Sequence, residues 1–383
     1  MKILLHGLAM RKRGGGSRHL EGLIESLGQL DRENEYLVCL NSQFEFASPY
    51  PNITVLPVRV KSAWHRLWWD QASLPRLARA WRADVVVALF IFGMYTSAAP
   101  QIALQRNSQF YCPFFLDRLR GRAAVSLAAR RWMAYLTMRA SRLIVTPSQS
   151  MCDMIRRFHP DLPQERFRVL PHGFERAQVV RQALPPVIAQ QLERVGNRPM
   201  LLYISHLEPH KAHEVALQAM RELQSQGRSA CLCLTMDRRD WSAGYDRLIE
   251  QVGVWGLSES VINLGRVPEG ALDELYRRAA MFFFPSLCES FGFPMIEAMS
   301  YGLPMVAADT PINREVCGRA ARYYAPLDGR AAAQQIMAWL DAPEQLALAR
   351  KVSEQQYLGT HLDWLEYGRR FIEILKESAL HAA

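Results

Sequence analysis

The chain has 383 residues, of which 49% are apolar and 22% are charged. This length exceeds one typical domain, and the apolar fraction suffices for two packed cores, which excludes a disordered or fibrous chain. The net charge of +9 is uneven, because residues 1–172 carry 24 Lys/Arg against 12 Asp/Glu and the remainder carries 22 against 25. The basic first half therefore favours an anionic surface or substrate as its partner.

We predict neither a membrane span nor a signal peptide. The uncharged stretch 85–105 is solidly apolar only as far as Phe92, which is typical of a buried strand followed by a loop. Met1–Ala9 is too short for a signal peptide and is followed by the basic residues Arg11-Lys12-Arg13. The seven cysteines are odd in number and show no zinc-site spacing, so we expect reduced thiols in a cytoplasmic protein without bound metal.

A strand, a glycine-rich loop and a helix open the chain. The apolar run Lys2–Leu5 predicts the strand, segment 7–17 is a basic loop, and 19–30 has helical spacing, as in the first βα unit of a doubly wound domain. The loop contains Gly14-Gly15-Gly16, which is not the G-x-G-x-x-G dinucleotide fingerprint. With its three basic residues the loop suits an anionic group, and a flexible, solvated loop is an equally good interpretation.

Two segments of the first half combine aromatic and basic residues. Residues 64–69 (Trp-His-Arg-Leu-Trp-Trp) suit a membrane interface, and packed aromatics are an equal alternative. Segment 116–142 holds seven arginines and one acid in an amphipathic helical pattern, which is compatible with docking on anionic lipid. The solvated face of an ordinary helix is the alternative that we favour. No nucleic-acid-binding signature accompanies the charge, so we expect no nucleic-acid partner.

Short apolar runs predict a parallel sheet in each half. In the first half they predict strands at 36–40, 53–58, 83–92, 102–104, 143–146 and 168–170, and a helix at 149–158. Arg106 and Asn107 follow the fourth of these strands. We place the domains at 1–172 and 173–362, with a proline-rich hinge at 171–198 and a last helix, 363–383, that packs back on the first domain.

The second half opens with a strand at 200–205, a loop at 206–211 and a helix at 213–223. A loop at the carboxyl end of a parallel strand is where open α/β sheets bind ligands. Strands are also predicted at 230–235 and 261–264, and the loop Gly265-Arg266-Val267-Pro268 follows the second of them.

A strand–loop–helix–strand unit at 281–315 carries the most chemistry. Met281–Phe284 is a strand, the next loop holds Glu289 and Gly292, and Pro294 suits the first helical position, which puts Glu297 in the first turn. A helix start favours phosphate, and carboxylates accept hydrogen bonds from sugar hydroxyls. The unit therefore suits a ligand that is both a phosphate and a polyol.

The string Glu289-Ser-Phe-Gly-Phe-Pro-Met-Ile-Glu297, followed by Gly302-Leu303-Pro304, closely resembles the donor-site signature of retaining glycosyltransferases of family 4. Segments 144–148 (Ile-Val-Thr-Pro-Ser) and 169–173 (Val-Leu-Pro-His-Gly) are similar to strings that close the first domain in that family. The resemblance implies the GT-B fold, in which two Rossmann-like, doubly wound α/β domains face a cleft. It implies transfer of a sugar from a UDP- or GDP-sugar to an acceptor hydroxyl with retention, without cofactor or metal.

The resemblance also assigns residues. It implies that Lys211 binds the diphosphate, that Glu289 orients the donor sugar and that Glu297 binds the ribose. Other implied donor contacts are His206, where an arginine often stands, and Ser290, Phe291, Gly292, Phe293, Arg266 and Val267. On the acceptor and phosphate side it implies Gly15 and Gly16, and also Arg106 and Asn107, near the place where many members have a histidine against the donor sugar.

The family and the charge together suggest a lipid-linked glycan acceptor in bacterial surface polysaccharide assembly, with peripheral contact at the inner face of an anionic membrane. Two alternatives stay open. One is a sugar-nucleotide epimerase on the same fold, and the other is a non-catalytic nucleotide-sugar-binding protein. A nicotinamide dehydrogenase is less favoured, since no G-x-G-x-x-G opens a βα unit.

Overall fold

The computed structural model describes residues 1–9, 15–44, 46–97, 99–176 and 181–380. These form two compact units: Glu175–His361 is the second unit, and the residues before and after it are the first. The divisions lie within two residues of the predicted boundaries at 172/173 and 362/363. The basic run Arg11–Arg13 lies outside the described residues.

The first unit contains a seven-stranded sheet whose neighbouring strands are all parallel, in the order β3-β2-β1-β4-β5-β6-β7. Its strands are β1 Lys2–His6, β2 Glu35–Asn41, β3 Ile53–Val58, β4 Val85–Ala88, β5 Gln101–Leu104, β6 Leu143–Thr146 and β7 Phe167–Val169. The strand order reverses beside β1, as it does in doubly wound sheets.

The second unit contains a parallel six-stranded sheet in the order β10-β9-β8-β11-β12-β13. Its strands are β8 Met200–Tyr203, β9 Cys231–Leu234, β10 Val261–Asn263, β11 Met281–Phe284, β12 Met305–Ala308 and β13 Ala321–Tyr324. The prediction of an α/β protein with two doubly wound domains is confirmed.

Fifteen α-helices connect the strands of the described residues. Six belong to the first half: α1 Gly15–Leu30, α2 Ala63–Trp68, α3 Leu74–Ala80, α4 Pro113–Leu116, α5 Gly121–Ala140 and α6 Gln149–Phe158. Nine follow: α7 Pro186–Glu193, α8 His213–Ser225, α9 Ser242–Val254, α10 Leu272–Arg278, α11 Phe293–Ser300, α12 Pro311–Cys317, α13 Gly329–Leu340, α14 Pro343–Thr360 and α15 Trp364–Leu380. A five-residue π-helix, Trp69–Ser73, joins α2 to α3.

Successive residues along the strands of the first sheet point to its two opposite faces, and helices cover both faces. Ile3 and Val85 belong to the core that α1 and α15 cover. Leu4 and Val86 face the other way, toward α3, and Ala103 lies in the core that α5 and α6 cover. The helices α3, α5 and α6 therefore form one layer, together with α2, whose Arg66 lies over Phe92 of that core, and α1 and α15 form the opposite layer.

The last helix packs closely on the first. A Cβ atom at Gly22 of α1 would lie 2.3 Å from the ring of Trp364 on α15, so only glycine allows this approach. The chain enters α15 beside the end of the first segment, where Phe174 N donates to Leu362 O at 2.9 Å.

Three sequence predictions need correction. Helix α1 begins at Gly15, so Gly15 and Gly16 occupy its first turn and not a loop. The strand predicted at 83–92 ends at Ala88, and beyond it Ile91 adopts a φ of +69°, which no strand accommodates. The predicted hinge contains the regular helix α7, which buries Ile188 and Leu192. None of the helices in the described part of the chain has both the length and the apolar character needed to span a bilayer.

Candidate active site

Two loops of the second unit meet at the carboxyl edge of its sheet. One follows β8 and leads to α8, and the other follows β11 and leads to α11. Because β8 and β11 are adjacent and parallel, their loops leave the sheet at the same edge. A hydrogen bond from Leu287 N to His210 O, at 2.9 Å, joins them.

The central contact of this edge is an ion pair between the two loops. Lys211 Nζ lies 2.5 Å from Glu289 Oε1, and Ser286 Oγ donates to the same oxygen at 2.7 Å. The side chains of Lys211 and Glu289 are 17% and 12% exposed, so both are held and still reachable by a ligand. Tyr203 OH donates to Lys211 O at 2.6 Å, which fixes the lysine backbone. The structure thus brings together two residues that the sequence predicts for one site.

Gly292 shapes the start of α11. Its φ of +85° is left-handed, and a Cβ there would lie 2.2 Å from Met295 Cε. Both constraints favour glycine, and they turn the chain so that α11 begins at Phe293. Pro294 is consequently the second helical residue and not the first as predicted. The neighbouring Phe291 and Phe293 rings pack edge to face at 5.4 Å.

Glu297 is buried and held by a tyrosine. Since α11 begins at Phe293, Glu297 lies in its second turn and not in the predicted first turn. Its side chain accepts a hydrogen bond from Tyr276 OH at 2.7 Å, and the Tyr276 ring stacks on Tyr301 at 5.0 Å. Tyr276 stands in no motif that marks it as a site residue, although the apolar spacing of α10 places it on the buried face of that helix, beside Leu275.

His206 and Arg266 pair with acids of the segment after β9. His206 Nδ1 lies 3.4 Å from Asp240 Oδ2, and Arg266 Nη1 lies 4.0 Å from Asp237 Oδ2. Hydrogen bonds from Arg239 hold the pKa of Asp237 at about 2, so this carboxylate stays charged. Within the described residues no hydrogen bond or ion pair joins His206, Arg266 or Val267 to Lys211 or Glu289.

Two buried histidines flank Lys211. Burial, with a smaller effect of the Lys211 charge, lowers the pKa of His210 to about 2 and that of His213 to about 3. Both rings are therefore neutral at physiological pH, and Lys211 supplies the positive charge of this loop.

The predicted residues of the first unit gather at the carboxyl edge of its own sheet. The Arg106 guanidinium lies 5.5 Å from the centre of the Phe90 ring, and a Cβ atom at Gly16 would lie 3.3 Å from the same ring. Asn107 accepts a hydrogen bond from Gln109 N at 3.0 Å and caps a short 3₁₀ turn. Gly16 and Arg106 thus share one neighbour.

Two parallel α/β units, the second with a Lys–Glu pair beside a helix start, define a protein of the GT-B class. Residues 13–178 match the family model Glycosyltransferase Family 4, and residues 186–357 match the family model Glycosyl transferases group 1. The two matches extend over nearly all of both units. The chain belongs to the glycosyltransferase family that these two models together describe.

Two relatives of this chain are mannosyltransferases of Escherichia coli, which agrees with the family assignment. The O-antigen chain mannosyltransferase B of Escherichia coli is 31% identical over 219 residues, which are 56% of this chain and 56% of its own length. The serotype-specific mannosyltransferase WbdA of Escherichia coli is 25% identical over 257 residues, 64% of this chain and 30% of its own length. The matched regions thus span about half or less of these relatives.

A solved structure shows the same fold. The structure of Anabaena Alr3699/HepE in complex with UDP and glucose superposes with a TM-score of 0.72 and 18% identity, covering 98% of this chain and 99% of that one.

Proposed function

We propose that this protein transfers a sugar from a nucleotide diphosphate sugar to an acceptor hydroxyl and retains the anomeric configuration. The observation that carries the proposal is the contact of 2.5 Å between Lys211 Nζ and Glu289 Oε1, beside the start of α11. A cation and a helix start suit a diphosphate, and a carboxylate suits sugar hydroxyls. The likeness to a protein solved with UDP and glucose supports the same ligand class.

Each residue has a physical role in this proposal. Lys211 and the first N–H groups of α11 stabilise the negative charge that grows on the leaving diphosphate. Glu289 binds hydroxyls of the donor sugar and fixes its orientation. Glu297, held by Tyr276, binds the ribose. The remaining donor contacts are His206, Ser290, Phe291, Gly292, Phe293, Arg266 and Val267.

In this proposal the anomeric configuration is retained because the acceptor oxygen attacks the same face of the sugar from which the leaving group departs. The acceptor oxygen forms its bond to the anomeric carbon while the bond from that carbon to the phosphate oxygen breaks. The departing phosphate takes the acceptor's proton. His210 and His213 are neutral and buried, so neither is assigned a proton transfer. The first unit, with Gly15, Gly16, Arg106 and Asn107, is the proposed acceptor side.

A thermal-shift titration with UDP, GDP, dTDP and NAD tests the donor site. We expect one nucleoside diphosphate to raise the Tm, because a ligand at 100 times its Kd stabilises the folded state by about 2.7 kcal/mol. We expect no shift with NAD, and a smaller shift in Lys211→Ala. A shift with NAD alone, or with no nucleoside diphosphate, would contradict the proposal. Consumption of the nucleotide sugar without any acceptor would favour the epimerase.

We also propose that the acceptor is a lipid-linked glycan of a bacterial surface polysaccharide, reached by peripheral contact with an anionic membrane. Trp64 is 81% exposed, Trp68 is 56% exposed and Trp132 is 57% exposed. All three stand on the layer formed by α2, α3, α5 and α6, where α5 carries four arginines and no acid. Of the three tryptophans in the predicted segment 64–69, Trp69 packs inward, against the ring of His6 at 5.8 Å.

Co-sedimentation with vesicles of anionic and of neutral phospholipid tests this surface. We expect binding to anionic vesicles at low salt and a loss of about tenfold in Trp64→Ala/Trp68→Ala, because interfacial tryptophans bury apolar area in the headgroup region. Val254→Ala/Leu348→Ala, which removes exposed apolar side chains of the second unit, is the control. Absence of binding to anionic vesicles would rule the surface out.

A further inference from the structure

Arg106 carries a charge for which the described residues supply no counter-ion. Among the described residues, its Nη1 atom is shielded from solvent and has no hydrogen-bond partner, and its guanidinium lies against the Phe90 ring. Burial lowers the pKa of the guanidinium to about 10, which still leaves it charged at physiological pH. By contrast, Arg66 and Arg168 of the same unit contact the carboxylates of Asp70 and Glu377. A shielded donor without an acceptor destabilises the folded protein, so the fold alone gives no reason for an arginine at this position.

The groups around Arg106 do not compensate its charge. His19 is fully buried, its Nε2 lies 2.7 Å from Tyr367 OH, and its Nδ1 has no partner. The His172 ring lies 4.8 Å from that of His19. Burial and the charge of Arg106 lower the pKa of both histidines, so both are neutral, and burial raises the pKa of Tyr367. The cluster is therefore positive overall.

Arg106 is the partly exposed member of this cluster, whereas His19, His172 and Tyr367 are buried. Arg106 follows β5 at the carboxyl edge of the sheet, the edge at which open α/β sheets bind ligands. The first turn of α1 lies beside the same Phe90 ring as Arg106, since a Cβ atom at Gly16 would lie 3.3 Å from that ring. A sixteen-residue helix places the positive end of its dipole at this turn. Two independent positive features thus converge on one place.

We propose that Arg106 binds an oxyanion group of the substrate, a phosphate or a carboxylate, on the first unit. The planar guanidinium offers paired N–H donors that match two oxygens of such a group. This inference rests on the proposed function, because it concerns the substrates of that reaction.

Two sources of the oxyanion are distinguishable. One is a phosphate of the acceptor, and the other is the carboxylate of an acidic donor sugar. For the first, isothermal titration with inorganic pyrophosphate compares Lys211→Ala with Lys211→Ala/Arg106→Gln, so that the proposed donor site is weakened equally in both. We expect at least about tenfold weaker binding without Arg106, because charge-assisted hydrogen bonds are the strong ones. The control is Lys211→Ala/Arg130→Gln, which removes an exposed arginine of the same unit.

For the second source, the Kd values of UDP-glucose and UDP-glucuronate are compared in wild type and Arg106→Gln. We expect the preference for the uronate to fall about tenfold if the carboxylate is the ligand. A change in either arm supports the proposal and names the source. If Arg106→Gln equals Arg130→Gln in both arms, the proposal is overturned. The pyrophosphate arm stays informative even if no nucleotide binds, so the failure of the proposed donor site is seen separately.

Stability provides a second measurement. We expect Arg106→Gln without ligand to match or exceed the wild-type Tm, because removing a shielded charge without a partner relieves a cost. A Tm that falls by several degrees in both Arg106→Gln and Arg106→Lys would show that the arginine supports the fold, and would overturn the proposal.

Discussion

Replacing Lys211 with methionine is expected to slow sugar transfer by about 10²–10³-fold, the usual effect of removing one preorganised electrostatic contact to a developing charge. The lysine is well placed for such a role. Its ammonium lies 2.5 Å from Glu289 Oε1, and its side chain is only 17% exposed. An ammonium has three donors, so the pair with Glu289 leaves donors for a phosphate. Methionine keeps most of the side-chain length and removes the charge.

The measurement is the rate at which a sugar donor releases its nucleoside diphosphate. The donor carries the nucleotide that the thermal-shift titration identifies. Lys351→Met is the matched control, because Lys351 is exposed on α14 of the same unit. Glu289→Gln and the double variant complete a cycle, and contact between the two residues predicts non-additive losses. Retention of activity within about threefold in Lys211→Met would contradict the role, since positioned electrostatic groups contribute far more than that.

Much of the site at the carboxyl edge of the second unit's sheet could be predicted, because local sequence patterns determine it. Met281–Phe284 and Met305–Ala308 are apolar runs bounded by proline or glycine, and both are strands with those limits. Lys211 and Glu289 are 78 residues apart, yet each follows a strand, and parallel strands bring their following loops to one edge.

What the sequence did not predict are contacts between side chains on different elements. Tyr276 holds Glu297 across two helices, and spacing within one helix does not identify a partner on another. The glycines of segment 14–16 predict a loop, whereas Gly15 and Gly16 begin α1. The packing of the unit overrides that local preference.

A buried ionic cluster in the first unit is likewise formed by side chains on different elements, so the sequence does not predict it. This cluster leads to the largest expected effect on stability. Asp70→Ala is expected to lower the free energy of unfolding by about 3–5 kcal/mol, the usual cost of breaking a buried ion pair by removing one partner. His6 ends β1, and Asp70 lies in the π-helix that follows α2. Sixty-four residues separate them in the chain, and neither stands in a recognisable motif.

The geometry gives the reason. His6 Nε2 lies 2.9 Å from Asp70 Oδ1, and both side chains are at most 2% exposed. The other ring nitrogen, Nδ1, lies 3.2 Å from Phe92 O. Arg66 Nε approaches Asp70 Oδ2 at 3.7 Å, and its guanidinium lies over the Phe92 ring. Without the carboxylate, the buried imidazole and the guanidinium both lose the acidic group beside them.

Urea denaturation followed by circular dichroism measures the effect, with the transition of the first unit analysed separately because two units need not unfold together. Asp117→Ala, an exposed acid of the same unit, is the control. The double variant His6→Leu/Asp70→Leu separates an unpaired buried charge from lost packing, because apolar replacement of both partners removes the need for an acceptor. We expect it to recover most of the loss. An Asp70→Ala protein within about 1 kcal/mol of wild type would mean that the pair makes no net contribution, as is usual for exposed ion pairs.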